Sequence, residues 1–271
     1  MKNFAGKLAL VTGAGSGIGR ATAVALADEG ARIAVTDINP ESARATARNI
    51  ADSGGEAQAF ELDVAQPAQI EQVADDVERS MGVPSILVNN AGIAVGGEFL
   101  DTSAENWQRV IAVNLVGLVD CCRVFIPRMV AGENGGHVVN IASMLGYTAA
   151  RGVSAYCTTK FGVLGFSECL RAELGSHGIG VSVICPGIVA TNIIQSSHLE
   201  STQYDVEEKR EAIQAVYENR NYPPERVAKV IIRAIRKNRG VVPVTREAWF
   251  SYYLKRFAPG ISGLIAKRDF V

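Results

Sequence analysis

The stretch Leu8-Ala9-Leu10-Val11-Thr12-Gly13-Ala14-Gly15-Ser16-Gly17-Ile18-Gly19-Arg20 decides the fold. It opens on a continuous apolar, β-type run. Glycines follow, and residues 18–29 then carry the apolar spacing of a helix. A strand that turns through glycines into a helix sets the helix's first N–H groups at the strand's carboxyl end. Those groups are unpaired and partly positive, which suits a pyrophosphate. Glycine lets the backbone approach such a group and lets the helix pack against the strand. The spacing, G-x-x-x-G-x-G from Gly13 through Gly17 to Gly19, is not the commoner G-x-G-x-x-G. A nucleotide-hydrolase loop ends in G-K-[ST], whereas Arg20 and Ala21 follow Gly19.

Working outward, apolar runs and helical patterns alternate. Strands are expected at 8–11, 31–36, 57–62, 85–88, 137–141, 179–185 and 240–244. Helices are expected at 18–29, 40–52, 66–81, 104–129, 154–176 and 223–237. Continuous apolar strands separated by helices predict an α/β, doubly wound parallel sheet covered on both faces. No linker or repeat divides the chain. Residues 1–245 read as one domain, and 246–271 as a helical C-terminal extension of it.

Composition narrows the class. The 271 residues are 48% hydrophobic and 20% charged, enough for a sizeable core and against global disorder. A net charge of −1 and a pI near 6.3 argue against a nucleic-acid-coating protein. The five cysteines, Cys121, Cys122, Cys157, Cys169 and Cys185, are odd in number and lack a C-x-x-C spacing. They predict a reducing compartment, no disulfide framework and no zinc site. His137, His177 and His198 are scattered, so no metal is expected. Residues 1–7 lack the apolar core of a signal peptide, and a cytoplasmic location is expected. The apolar stretch 110–126 is interrupted by Asn114, Asp120 and Arg123, so no bilayer span is expected.

Asp37 ends the second strand about twenty residues past the loop, where an acidic side chain hydrogen-bonds an adenosine ribose diol. A carboxylate there repels a 2′-phosphate, and Ser16 supplies no positive charge to welcome one. This predicts NAD in preference to NADP. Tyr156 and Lys160 stand four residues apart, on one helical face. A tyrosine that moves protons near neutrality needs its anion stabilised, and an adjacent ammonium does that. Ser143 can hydrogen-bond and orient a substrate oxygen. Asn114 can hold a water that links Lys160 to solvent.

Thr12–Gly19, Asn89-Asn90-Ala91-Gly92, Ser143, Tyr156-x-x-x-Lys160 and Pro186-Gly187 stand in the order and spacing of the short-chain dehydrogenase/reductase family, which the chain resembles over about residues 5–245. The resemblance implies a seven-stranded parallel Rossmann sheet. It also implies hydride transfer between a nicotinamide and a carbonyl or alcohol, with Asn114, Ser143, Tyr156 and Lys160 as the catalytic tetrad. It implies that Gly13, Gly15, Ser16, Gly17, Ile18 and Gly19 hold the cofactor. Asp63 and Val64 would meet adenine, and Asn90 its ribose, beside Ala91 and Gly92. Tyr156 and Lys160 would hold the nicotinamide ribose. Ile188 and Thr191, following Pro186 and Gly187, would touch the carboxamide. The epimerase branch shares Y-x-x-x-K but is longer and lacks the Asn-Asn-Ala-Gly segment.

Three rival functions fit the sequence less well. A non-catalytic dinucleotide-binding module can lose the tetrad, which is present here. A hydrolase using Ser143 needs G-x-S-x-G, but Ile141 and Leu145 occupy the glycine positions. A glycine-loop methyltransferase does not account for the tetrad. Residues 93–97, 144–153 and 190–221 should wall the substrate pocket, with Ile193, Ile194, Leu199 and Tyr204 in the last segment. Arg151 is the one charge expected at that pocket, which favours an apolar alcohol or ketone. The extension carries Trp249, Phe250, Tyr252, Tyr253, Phe257 and Phe270, and its basic residues Arg246, Lys255, Arg256, Lys267 and Arg268 outnumber Glu247 and Asp269. Trp249, Phe250, Tyr253, Leu254 and Phe257 form a helical stripe, expected to pack on the domain or a partner subunit, to cover the pocket, or to touch a membrane surface. The apolar long helices predict a homodimer or homotetramer.

Overall fold

The structure, a computed structural model, describes residues 1–132, 135–203 and 205–266. Tyr204 and, in the tail, Lys267, Arg268, Asp269 and Phe270 lie outside the described residues.

The strands are β1 (Leu8–Thr12), β2 (Arg32–Asp37), β3 (Ala57–Glu61), β4 (Ile86–Asn89), β5 (Val95–Gly96), β6 (Gly136–Ile141), β7 (Ile179–Cys185), β8 (His198–Leu199) and β9 (Val241–Pro243). The helices are α1 (Gly17–Asp28), α2 (Pro40–Asp52), α3 (Pro67–Met81), α4 (Ala104–Ile111), α5 (Gly117–Ala131), α6 (Ser154–Leu174), α7 (Val206–Arg220), α8 (Pro224–Arg236), α9 (Arg246–Phe257) and α10 (Pro259–Ile265). Seven strands pair in parallel in the order β3-β2-β1-β4-β6-β7-β9. This is the doubly wound Rossmann sheet expected from the apolar runs.

Every residue of β1 is buried because both sheet faces are covered. On one face Ile70, Val77, Cys121, Phe125 and Val163 bring α3, α5 and α6 onto the sheet. On the other, Leu26, Ala43, Ile50 and Ile231 bring α1, α2 and α8. The order reverses between β1 and β4, so their carboxyl ends open a crevice, the usual ligand site of such sheets.

Three departures from the sequence reading matter. The expected long helix is α4 and α5 joined by a π-helical turn, Ala112–Val116, with Asn114 fully buried at its centre. Two short strands, β5 and β8, pair beside the crevice. The polar stretch before Asn221 contains α7, started by Asp205, whose carboxylate accepts from Glu207 N at 2.8 Å and Glu208 N at 3.0 Å. Its partly buried residues, Val206, Lys209, Arg210, Ile213, Gln214 and Tyr217, follow helical spacing but include only Val206 and Ile213 as aliphatic hydrophobes. The apolar signal that reveals helices was therefore weak.

A buried polar chain crosses the sheet-to-α6 boundary. Asn89 Nδ2 donates to Asn140 Oδ1 at 2.9 Å, Asn140 Nδ2 to Ser167 Oγ at 2.9 Å, and Ser167 Oγ to Val163 O at 2.6 Å. Asn140→Leu deprives both neighbours of a partner. Urea unfolding should show a loss of about 1–3 kcal/mol; a change inside ~0.5 kcal/mol would mean that the chain adds nothing to stability.

Candidate active site

The loop after β1 folds tightly because its glycines admit no side chain. A Cβ on Gly19 would lie 2.1 Å from Gly13 O, and one on Gly13 2.9 Å from Ala91 Cα. Gly13 and Gly17 also have φ of 62° and 50°, in the left-handed region. Asn90 fastens this loop to the end of β4, its Nδ2 donating to Thr12 O at 2.9 Å and Gly13 O at 3.0 Å. Its two amide hydrogens are thus spent on the loop. Thr12 Oγ1 accepts from the N–H groups of Asn90 and Ala91, each at 3.0 Å. Ser16 precedes α1 without a side-chain cap, which leaves the helix's first N–H groups to an outside acceptor.

Asp37 reaches the same place from β2. Its Oδ2 accepts from Gly15 N at 2.8 Å and its Oδ1 from Asn39 N at 2.9 Å. Each carboxylate oxygen has about two acceptor positions, so capacity for a diol remains. The near cation, Arg20, is engaged with Gly15 O and with Thr46 Oγ1. Asp63 Oδ1 accepts from Ala65 N at 2.9 Å, while Val64 turns into the core. These features fit a dinucleotide: an uncapped helix start for phosphates, a glycine cradle that a Cβ would fill, and a carboxylate at the ribose end.

The other half of the site comes from β6, α6 and the π turn. Ser143 follows β6, close enough to act on the Tyr156 phenol; its Oγ accepts from Leu145 N at 3.1 Å. Lys160 lies one turn further along α6, its Nζ 5.5 Å from the Tyr156 ring centre, donating to Ile141 O at 3.0 Å. Asn114 binds the backbone of Ile93 twice: Oδ1 accepts from Ile93 N at 2.8 Å and Nδ2 donates to Ile93 O at 2.9 Å. A Cβ on Gly92 would meet Asn114 Oδ1 at 3.2 Å and Lys160 Nζ at 3.7 Å. Gly92 therefore joins the tetrad to the glycine-loop side. Thr191 closes the crevice, its Cγ2 3.3 Å from where a Gly17 Cβ would be. Pro186 O accepts from Met144 N at 2.7 Å, tying the segment 186–191 to the Ser143 loop.

Burial dominates the electrostatics. It pushes the Tyr156 phenol well above its ordinary value, Tyr217 on α7 raises it further, and Ser143 pulls it back. Burial also pushes Lys160 itself down to about 8. Tyr217 was missed by the sequence reading because it sits in the polar segment with no motif around it.

The short chain dehydrogenase family model matches residues 7–202. The chain belongs to the short-chain dehydrogenase/reductase family. It is 44% identical to the probable oxidoreductase EphD of Mycobacterium tuberculosis over 259 residues, 94% of this chain, but spans only 44% of that relative's length. It is 42% identical to a D-threitol dehydrogenase of Mycolicibacterium smegmatis over 69% of this chain and 72% of the relative. A short-chain dehydrogenase/reductase from Burkholderia phymatum, solved in complex with NAD, superposes with a TM-score of 0.89 at 28% identity, covering 100% of this chain and 99% of that one.

The buried lysine beside Tyr156 makes one property measurable. Folded Lys160 loses its proton near 8, before the unfolded lysine does near ~10.4, so its contribution to stability rises with pH across that window. The buried thiols Cys121, Cys122 and Cys185, all raised by burial, act in the opposite sense there. The lysine is therefore read by difference. Lys160→Met should be stabilised most, relative to the native chain, below about pH 8, and the advantage should fade toward pH ~10.4. A pH-independent difference in urea titrations would show that the buried ammonium carries no penalty.

Proposed function

We infer that the protein is an NAD(H)-dependent oxidoreductase of secondary alcohols and ketones, with an apolar substrate. The observation that carries this reading is the meeting at Gly92 of two sets of groups: the dinucleotide-shaped loop, and Asn114, Ser143, Tyr156 and Lys160. A bound nicotinamide dinucleotide supplies or accepts the hydride. The substrate oxygen lies between Ser143 and Tyr156. Ser143 donates a hydrogen bond that orients it, and Tyr156 gives it a proton in reduction or takes one in oxidation. The Lys160 ammonium offsets the charge left on the phenol oxygen. Asn114 keeps the Ile93 backbone, one wall of the site, in register.

The preference for NAD rests on Asp37 and on the engagement of Arg20; the NAD complex of the Burkholderia relative supports it. The apolar substrate rests on the walls. Leu199 packs over Gly96, where a Cβ would lie 2.7 Å from Leu199 Cδ2, and Ile194 is buried. Arg151, the charge expected at the pocket, is paired with Glu98 at 2.6 Å. The relative named for D-threitol supports an alcohol as the reacting group. Subunit pairing through this face fits the outward Val116, 47% exposed in the π turn before α5, and Phe161, 39% exposed on α6; a two-fold homo-oligomer buries them.

Two measurements test this reading. NAD(H) should be favoured over NADP(H) in kcat/KM by at least about tenfold, a difference of ~1.4 kcal/mol, and Asp37→Ala should narrow it. Equal preference in the native enzyme would remove the NAD assignment. Tyr156→Phe keeps the ring and loses the proton, so NADH binding should persist while turnover of a secondary alcohol falls by about 10²-fold or more. Near-native turnover in that variant would show that Tyr156 is not the proton donor.

A further inference from the structure

The family match ends at residue 202, yet two later segments meet at the carboxyl edge of the sheet. Thr245 caps α9, its Oγ1 accepting from Ala248 N at 3.3 Å, and Glu247 stands in the first turn. The Glu247 carboxylate makes two contacts with different parts of the chain. Oε1 accepts from Ile188 N at 3.2 Å, and Oε2 pairs with the Arg220 guanidinium at the end of α7. Gly187 lies beneath: a Cβ there would be 2.3 Å from Thr245 Oγ1 and 2.6 Å from Glu247 Oε1. The glycine of Pro186-Gly187 is therefore required by the C-terminal extension itself.

Arg220 closes the last turn of α7, one helical turn from Tyr217. The chain leaving α7 is also bonded to the 186–191 segment, with Ala190 N donating to Tyr222 O at 2.9 Å. From the other side, Tyr147 in the Ser143 loop donates to Ala248 O at 2.7 Å. Burial of Glu247 opposes its charge, but hydrogen bonds from Thr245, its own amide, Arg220 and Ile188 outweigh burial and keep the carboxyl below its ordinary value. The carboxylate is thus charged at neutral pH and able to hold both partners together.

We propose that Glu247 is a positioning residue that couples the segment 186–191, on the dinucleotide side, to the C-terminal end of α7. The Ile188 contact seats one side of the crevice, and the Arg220 contact seats the helix on the other. A shift of either changes the space between them. In its cofactor arm the inference rests on the NAD(H) reading given above; in its α7 arm it does not.

Amide hydrogen exchange and NADH titration by fluorescence, on the full-length chain, separate the two arms. Glu247→Gln keeps an oxygen for Ile188 N–H and loses the charge that holds Arg220. It should speed exchange in 217–220 about tenfold, leaving 186–191 and the NADH affinity near native. Arg220→Ala should do the same, and the double variant no more than either alone. Glu247→Ala should also speed exchange in 186–191 and weaken NADH at least about fivefold, and Gln at the same position should rescue those two readouts. Thermal unfolding of each variant confirms that it is folded. The proposal is overturned if folded Glu247→Gln leaves 217–220 unchanged, if its effect adds to that of Arg220→Ala, or if Gln and Ala weaken NADH alike. A native chain that binds no NADH would sink the cofactor reading instead, and the exchange of 217–220 would still decide the α7 arm.

Discussion

The site depends on how closely α1 approaches β1 and β4. No Cβ fits at Gly13 or Gly19 without meeting backbone, and three side chains from separate strands hold the loop in that position: Thr12 from β1, Asp37 from β2 and Asn90 after β4. Each contact joins elements more than twenty residues apart, so the loop cannot form until the sheet order around it is complete. Once formed, it leaves the first turn of α1 uncapped at the point where β1 and β4 diverge. A positive helix end and a crevice therefore coincide for reasons of packing. The same closeness brings Ala91 and Gly92 against the loop and sets the distance from there to Asn114 and Lys160.

The tetrad half obeys a different constraint, the cost of burying polar groups. Lys160 and Asn114 are almost inaccessible, and each is bonded to backbone: Lys160 to Ile141 O, Asn114 to both polar atoms of Ile93. An unpaired group in either place would cost about 1–3 kcal/mol or more. The π turn serves this need. One extra residue in the helical turn at Ala112–Val116 points Asn114 toward Ile93 while α4 and α5 keep their apolar faces on the core. Chemistry and stability thus draw on the same hydrogen bonds. Burial also raises the Tyr156 phenol and lowers the Lys160 ammonium, so each is pushed toward its neutral form.

Most of the architecture was legible in the sequence because parallel strands buried on both faces are continuous apolar runs. The strand at 179–185 was placed to the residue, and the break after Phe257 followed from Pro259-Gly260. The glycine loop, Asp37, Tyr156 and Lys160 were legible because close approach and helical spacing leave fixed patterns. Two kinds of feature were not. α7 mixes Val206 and Ile213 with Lys209, Arg210, Gln214 and Tyr217 on its inward face, too polar to read as amphipathic. The use of Asn90 on the loop, and the pairing of Arg151 with Glu98, depend on contacts across 77 and 53 residues of chain, which no local pattern records.

The C-terminal extension is oriented by its first turn. Its aromatic stripe is expected to pack on the domain or a partner subunit, cover the pocket or touch a membrane surface, and in the single chain Phe250, Tyr253 and Phe257 are 66%, 51% and 81% exposed. The helix is turned by its root. Tyr147 donates to Ala248 O and packs edge-on against Tyr252, ring centres 5.3 Å apart, so Ala248 and Tyr252 face the domain. Thr245 and Glu247 are fixed on Gly187 in the same turn. With those four residues set, helical geometry directs Phe250, Tyr253 and Phe257 outward. The rings then shield one another, Tyr253 stacking on both Trp249 and Phe257, while Arg256 lies 4.6 Å from the Tyr252 ring centre. The extension accordingly has two parts with separate physics. Its first turn belongs to the floor of the crevice, and its remaining length is an aromatic surface whose orientation that first turn dictates.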